Sequence, residues 1–112
     1  SMGAGGKLDP SKVMVADFSN TFHCKLARIL RKRLRRLGVN GGFKAVFSTE
    51  PVDEDAVTPV DDEPNKKTTV GTISYMPAIF GCVCASVVIR ELLGHEIELA
   101  ISPGNGSKMQ GN

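Results

Sequence analysis

The 112-residue chain has no tryptophan, one tyrosine and three cysteines. An odd and small cysteine count cannot close a disulfide framework, which excludes a stapled secreted scaffold and fits a reducing compartment. Nowhere do roughly eighteen apolar residues run together, so no membrane span is expected. The opening SMGAGGKLDP lacks the charged and apolar regions of a signal peptide. An intracellular protein, cytoplasmic or organellar, is therefore expected. There is no internal repeat, and the length suits one domain with a modest core.

What is present is uneven. The net charge is only +2, yet Lys25 to Arg36 holds seven cations and no acid, while Asp53 to Glu63 holds six acids and no cation. Within LARILRKRLRRLG, Leu26, Ile29, Leu30, Leu34 and Leu37 fall on one helical stripe and predict its burial. Arg28, Arg31, Lys32, Arg35 and Arg36 occupy the other faces. They are candidates for contacts to RNA phosphates rather than bases, since no aromatic platform accompanies them. The alternative is a solvated face balanced by the acidic cluster.

Residues 1 to 12 read as loop, and VMVAD, Val13 to Asp17, as a strand. Ser19, Asn20 or Thr21 can cap the basic helix, and Gly38 can end it. In FKAVFS, Phe43, Ala45 and Phe47 share one strand face and Lys44, Val46 and Ser48 the other. Residues 51–69, with Pro51, Pro59, Pro64 and the acids, read as a flexible insertion. Thr72 to Met76 is expected to be extended. PAIFGCVCASVVIRELL then forms a helix with Pro77 at its first position and Gly94 just past its end. It is apolar almost all round, which predicts burial on most sides. Its small residues, Ala78, Gly81, Ala85 and Ser86, allow another backbone close. Glu96 to Ile101 alternates like a last strand, and residues 103–112 form a polar tail. Residues 1–102 thus make one α/β domain with two main helices and about three to four strands. So few strands cannot cover such apolar helices, which marks the chain as part of a larger sheet.

Site chemistry is sparse. Cys82 and Cys84 would point about 200° apart on a helix and cannot readily share an ion, so no metal site is expected. His23 and Cys24, adjacent, diverge by about 100° and are not preset to pair. His95 beside Gly94 reads as a helix end. Asp17 closes a strand, where α/β sites gather, or it caps a turn. The acidic cluster lacks the spacing of a calcium loop.

Four separated pieces, GAGGKLDPSKVMVADFSNT, the basic helix ending LRRLGV, KAVFSTEPV and GTISYMPAIFGCVCASVVIREL, together resemble the C-terminal half of the tRNA threonylcarbamoyladenosine dehydratases. That family is a branch of the ThiF/MoeB/ubiquitin-activating superfamily. The resemblance covers roughly residues 3 to 94. It implies a partial Rossmann-like, ThiF-type sheet, homodimerisation, and ATP and Mg as cofactors of the complete enzyme. The implied chemistry adenylates and cyclises the threonylcarbamoyl group on the adenosine beside the anticodon, with tRNA as partner. The family's glycine fingerprint belongs to its N-terminal half and has no match here: GAGG lacks the G-x-G-x-x-G spacing and precedes the strand it should follow. No cofactor is therefore expected for this chain alone, and a missing nucleotide-binding half is an expected partner. By the same resemblance Gly3, Gly5 and Gly6 line the pocket; as residues alone they equally make a tight turn. The zinc-binding cysteine pairs of MoeB-like relatives are absent. A cysteine that some dehydratases carry falls where this chain has NKKTTVG and cannot be transferred. Two other readings compete: activation of a ubiquitin-like or sulfur-carrier C-terminus, and a non-catalytic RNA-binding or dimerising module.

Overall fold

A computed structural model describes residues 1–52, 57–59 and 68–103. The acids of the Asp53–Glu63 cluster and the tail from residue 104 lie outside the described residues. A short 3-10 turn, Pro10–Lys12, is started by the Asp9 carboxylate, which accepts the Ser11 amide at 2.9 Å, and by Pro10, which has no amide to satisfy. Strand β1, Val13–Asp17, follows, as its β-branched run predicts. A second 3-10 turn, Phe18–Asn20, leads to helix α1, Lys25–Arg36, and strand β2, Lys44–Ser48. Strands β3, Val57–Pro59, and β4, Thr68–Val70, precede helix α2, Tyr75–Leu92.

β1 and β2 pair antiparallel, from Val13 opposite Ser48 to Asp17 opposite Lys44. β3 and β4 make a separate antiparallel pair with Val57 opposite Val70. The class is α/β as expected, but the described residues hold two two-stranded sheets rather than three or four strands in one. Thr72–Met76 is not extended: α2 begins at Tyr75, and Pro77 lies inside its first turn, where an amide would have no carbonyl to reach. Glu96–Ile101 is not a strand, although the Ala100 amide donates to the Val15 carbonyl at 2.8 Å and holds this segment beside β1.

β2 forms the centre. Ala45, Val46, Phe47 and Ser48 are all buried, so both of the faces between which they alternate are covered. Val46 packs with Met76 and Phe80 of α2, flanked by Val13 and Val15. On the other face, Phe47 meets the edge of the Phe22 ring at a centroid distance of 5.4 Å. Helix α2, the sheet and the Phe18–Ala27 segment thus form three layers. Lys44 also pairs with Glu91 near the end of α2; both side chains are well exposed, so this pair contributes little.

Both helices end as predicted. Gly38, at φ 82°, donates to the Arg35 carbonyl at 3.0 Å while Val39 reaches back to Leu34 at 2.9 Å. Gly94, at φ 76°, and His95 repeat this pattern on Glu91 and Arg90. The start of α1 differs from expectation: Cys24, not Ser19, Asn20 or Thr21, is its N-cap, with Sγ accepting the Ala27 amide at 3.4 Å.

Burial of the helices corrects the sequence reading further. In α1 only Ala27 is buried. Leu26 and Ile29 are exposed, as is Leu37 at 78%. A small residue sits at the point of closest contact, and the leucines beside it are left at the rim. In α2, Met76, Phe80 and Val87 are buried, while Ala78, Gly81, Cys82, Ala85, Val88, Ile89 and Leu92 form a continuous open stripe. The expected burial on most sides fails because a two-stranded sheet covers one face only. The helix, 18 residues at mean hydropathy 1.5, is by length and composition able to cross a membrane. Three of its 18 residues, Met76, Phe80 and Val87, are buried, and Met76 and Phe80 pack on Val46 of β2.

An apolar stripe of this length marks an interface or an aggregation liability. The 112-residue chain should therefore associate in sedimentation experiments as concentration rises, and Val88→Lys with Leu92→Lys should return it to monomer. A parent that stays monomeric at high concentration would contradict this.

Candidate functional site

The loop Gly6–Asp9 is where the distant segments meet. Lys7 is 1% exposed, and its amine donates to the backbone carbonyls of His23, just before α1, and Glu50, just after β2. The Glu50 carboxylate answers by accepting the Leu8 and Asp9 amides at 2.8 and 2.9 Å. The Gly6 amide donates to Gly71 at 2.8 Å, and the Tyr75 hydroxyl donates to Leu8 at 2.6 Å. His23 is further held by its Nδ1, which lies 2.8 Å from the Thr49 carbonyl and so carries the proton. It adopts a left-handed φ of 53°, rare for a residue other than glycine. Desolvation lowers the Lys7 pKa, opposed by the Glu50 carboxylate. Nothing in the sequence separates Lys7 from a surface lysine; its role depends on carbonyls 16 and 43 residues away.

The predicted glycines form part of the same loop. Ala4–Lys7 is a turn closed by the Lys7 amide on Ala4 at 3.3 Å, with Gly6 at φ 74° in the position that favours glycine. Gly3 lies against Leu26 and Cys24. The Gly6 and Lys7 amides are thus engaged internally. Asp17 ends β1 and starts the second 3-10 turn, accepting the Ser19 hydroxyl at 2.5 Å and the Ser19 amide at 3.0 Å. Its other oxygen takes the Gly42 amide at 2.9 Å. The Ser19 hydroxyl, then the Ser19 amide, hold its pKa below the usual carboxylate value, with the Gly42 and Phe43 amides adding to this.

The candidate cations divide into separate settings. Arg31 is tied down, its guanidinium donating to the Thr21 carbonyl at 2.8 Å and to the Thr21 hydroxyl. Arg28 and Arg31 line a cavity at the start of α1 with His23, Cys24, Lys25 and Val52. Arg35, again with Arg31, lines a smaller cavity of about 120 Å³ against Phe18, Leu34 and Gly41. Lys32 and Arg36 are exposed. Cys82 is exposed and Cys24 buried. Among the described residues no cluster of His, Cys, Asp or Glu could hold a metal ion.

A strand pair packed on an apolar helix on one side and on the segment leading into a basic helix on the other, with its loops tied at one corner, is a segment of a ThiF-type α/β fold. By sequence and by structure the chain is a relative of the tRNA threonylcarbamoyladenosine dehydratases. It is 30% identical to tRNA threonylcarbamoyladenosine dehydratase 1 of Saccharomyces cerevisiae over 109 residues, covering 88% of this chain and 25% of the yeast protein. With the Bacillus subtilis dehydratase the identity is 30% over 100 residues, 83% of this chain and 39% of that one. The E. coli dehydratase TcdA, solved in complex with ATP, superposes at a TM-score of 0.66 with 30% identity, over 83% of this chain and 36% of its own. No family profile matches the chain. The chain spans a quarter to two fifths of the length of the curated relatives it matches.

Two substitutions test the geometry. Because the Lys7 pKa lies below its unfolded value, the unfolded chain binds the extra proton between those two values, and folding is favoured as pH climbs through that window. Lys7→Met should destabilise by about 1–3 kcal/mol through its orphaned carbonyls. The stability gap between parent and variant, followed by thermal unfolding, should widen as pH rises toward the ordinary lysine pKa; a constant gap would place the amine in solvent. At Gly41, φ 132°, an added Cβ would lie 2.6 Å from Asp17 Oδ2. Gly41→Ala should cost about 1–3 kcal/mol, whereas Gly42→Ala, which also has a positive φ but no close neighbour, should cost less.

Proposed function

We propose that this chain is the C-terminal portion of an ATP-dependent tRNA-modifying enzyme. In this reading the complete enzyme adenylates and cyclises the threonylcarbamoyl group on the adenosine beside the anticodon. The observation that carries it is the convergence at Gly6–Asp9: three of the four sequence pieces resembling the dehydratases meet there in space, and the fourth, the basic helix, starts two residues beyond His23, whose carbonyl the Lys7 amine holds.

The residues present do not fit a nucleotide phosphate cradle. Such a cradle needs free amides at a glycine turn or helix start, whereas the Gly6 and Lys7 amides are spent on Gly71 and Ala4. We therefore assign ATP and Mg to the part of the relatives that this chain does not cover, and derive no catalytic step here. What these residues supply is a rigid corner and a basic helix. The corner fixes where α1 starts, and hence where its cations stand relative to the sheet.

Those cations are assigned to tRNA phosphates, with Arg31 acting as a structural tie as well. Binding should then be weak in sequence preference and steeply salt-dependent, with each phosphate contributing roughly 0.7 to 0.9 to the slope of log affinity against log salt. Replacing Arg28, Lys32, Arg35 and Arg36 with Glu should abolish tRNA retention on filters while circular dichroism stays unchanged. Arg31 is left in place because its loss would free Thr21. Equal retention by variant and parent would mean that the cationic face is only solvated.

A further inference from the structure

The cavity at the start of α1 has a volume of about 340 Å³, and four of its six lining residues, His23, Lys25, Arg28 and Arg31, carry basic groups. None of the six is acidic. Among the described residues, the side chains of Lys25 and Arg28 make no hydrogen bond or ion pair. The buried amine of Lys7 stands behind the wall, on the His23 carbonyl. The Glu50 carboxylate is turned to the Leu8 and Asp9 amides. Cations so crowded repel one another: Arg31 has its pKa lowered by burial first, and also by Arg35 and Arg28.

The walls are also preset. Arg31 is fixed by Thr21, and His23 is fixed at both its carbonyl and its Nδ1, which leaves Nε2 unengaged. Ordering flexible side chains is a large part of the cost of binding, and here two of the four basic groups are already ordered. A concave site lined by Lys25, Arg28 and Arg31, with no carboxylate among the described residues that line it, favours an anion over solvent. Guanidinium groups favour one with several oxygens.

We infer that this cavity is a discrete phosphate-binding site formed by His23, Lys25, Arg28 and Arg31. The inference rests on the tRNA reading above for the source of the phosphate, the RNA backbone. Lys32 and Arg36, on the open face, add only diffuse attraction. The chemistry is shared with a free phosphate compound, so the test separates the two sources.

The test compares two variants of the full 112-residue chain with equal charge loss, Lys25→Gln with Arg28→Gln and Lys32→Gln with Arg36→Gln. Each is checked by circular dichroism and assayed for tRNA retention across salt and for pyrophosphate binding by calorimetry. For a discrete site, the cavity pair should lose at least about tenfold in tRNA affinity and lower the salt slope by about 1. The open-face pair should lose clearly less, and Arg28→Lys, which keeps the charge, should restore most of the binding. Equal losses from both pairs would overturn the site while leaving the tRNA reading intact. If the parent retains no tRNA, that reading fails. The site then stands only if pyrophosphate binds saturably to the parent and not to the cavity pair; no pyrophosphate binding in that case overturns it.

Discussion

One buried amine organises this chain. Lys7 bonds the carbonyls of His23 and Glu50, which lie 27 residues apart in the chain, one just before α1 and one just after β2. A neutral or charged amine can serve both, since either form has two hydrogens to donate. An apolar replacement of similar length can serve neither, and buried carbonyls left open cost more than the bond contributes when made. The His23 backbone at φ 53° is held in place by this amine on one side and the Thr49 carbonyl on the other. From that corner follow the position of Cys24 as N-cap, the start of α1 and the mouth of the basic cavity.

The second constraint is a shortage of sheet. Two strands can cover one face of α2 and the small-residue contact of α1, and they do so through Val46 on one side and Phe47 on the other. The remaining apolar surface, the open stripe of α2 and the rim of Leu26, Ile29 and Leu37, faces outward. This is how an element looks when the rest of its core belongs to something else. It agrees with a chain that spans 25% to 39% of the relatives it matches.

Much of the local structure was legible in the sequence because it depends on neighbours in the chain. β1 and β2 follow from their β-branched and aromatic runs, and the ends of α1 and α2 from Gly38 and Gly94. Contacts between distant residues were not legible. Thr72–Met76 reads as extended by composition, but Met76 is needed in the core beside Val46 and Phe80, so the helix starts early enough to bring it there. Glu96–Ile101 alternates like a strand yet finds only a single-sided neighbour in β1. The stripe on α1 was correctly placed as a pattern, but its burial depends on a surface the sequence does not specify. Of the site residues, the cations were visible as a charge run. Which are tied and which are open could not be read, because Arg31 differs from Arg28 only through Thr21, ten residues back.

The convergence at Gly6–Asp9 explains why pieces so far apart in the chain are recognisable together. A glycine turn, a strand-end Glu, a helix start and a tyrosine at the head of α2 share no local pattern, and each would be weak as a motif alone. Their shared property is spatial: at one corner the Gly6 amide meets the Gly71 carbonyl, the Lys7 amine the His23 and Glu50 carbonyls, the Glu50 carboxylate the Leu8 and Asp9 amides, and the Tyr75 hydroxyl the Leu8 carbonyl. A buried polar network of this kind tolerates little change in any one member, since a half-satisfied network is worse than an apolar one. The polar groups of this corner are therefore the ones in the chain that physical chemistry would allow to vary least, whatever the corner they build is used for.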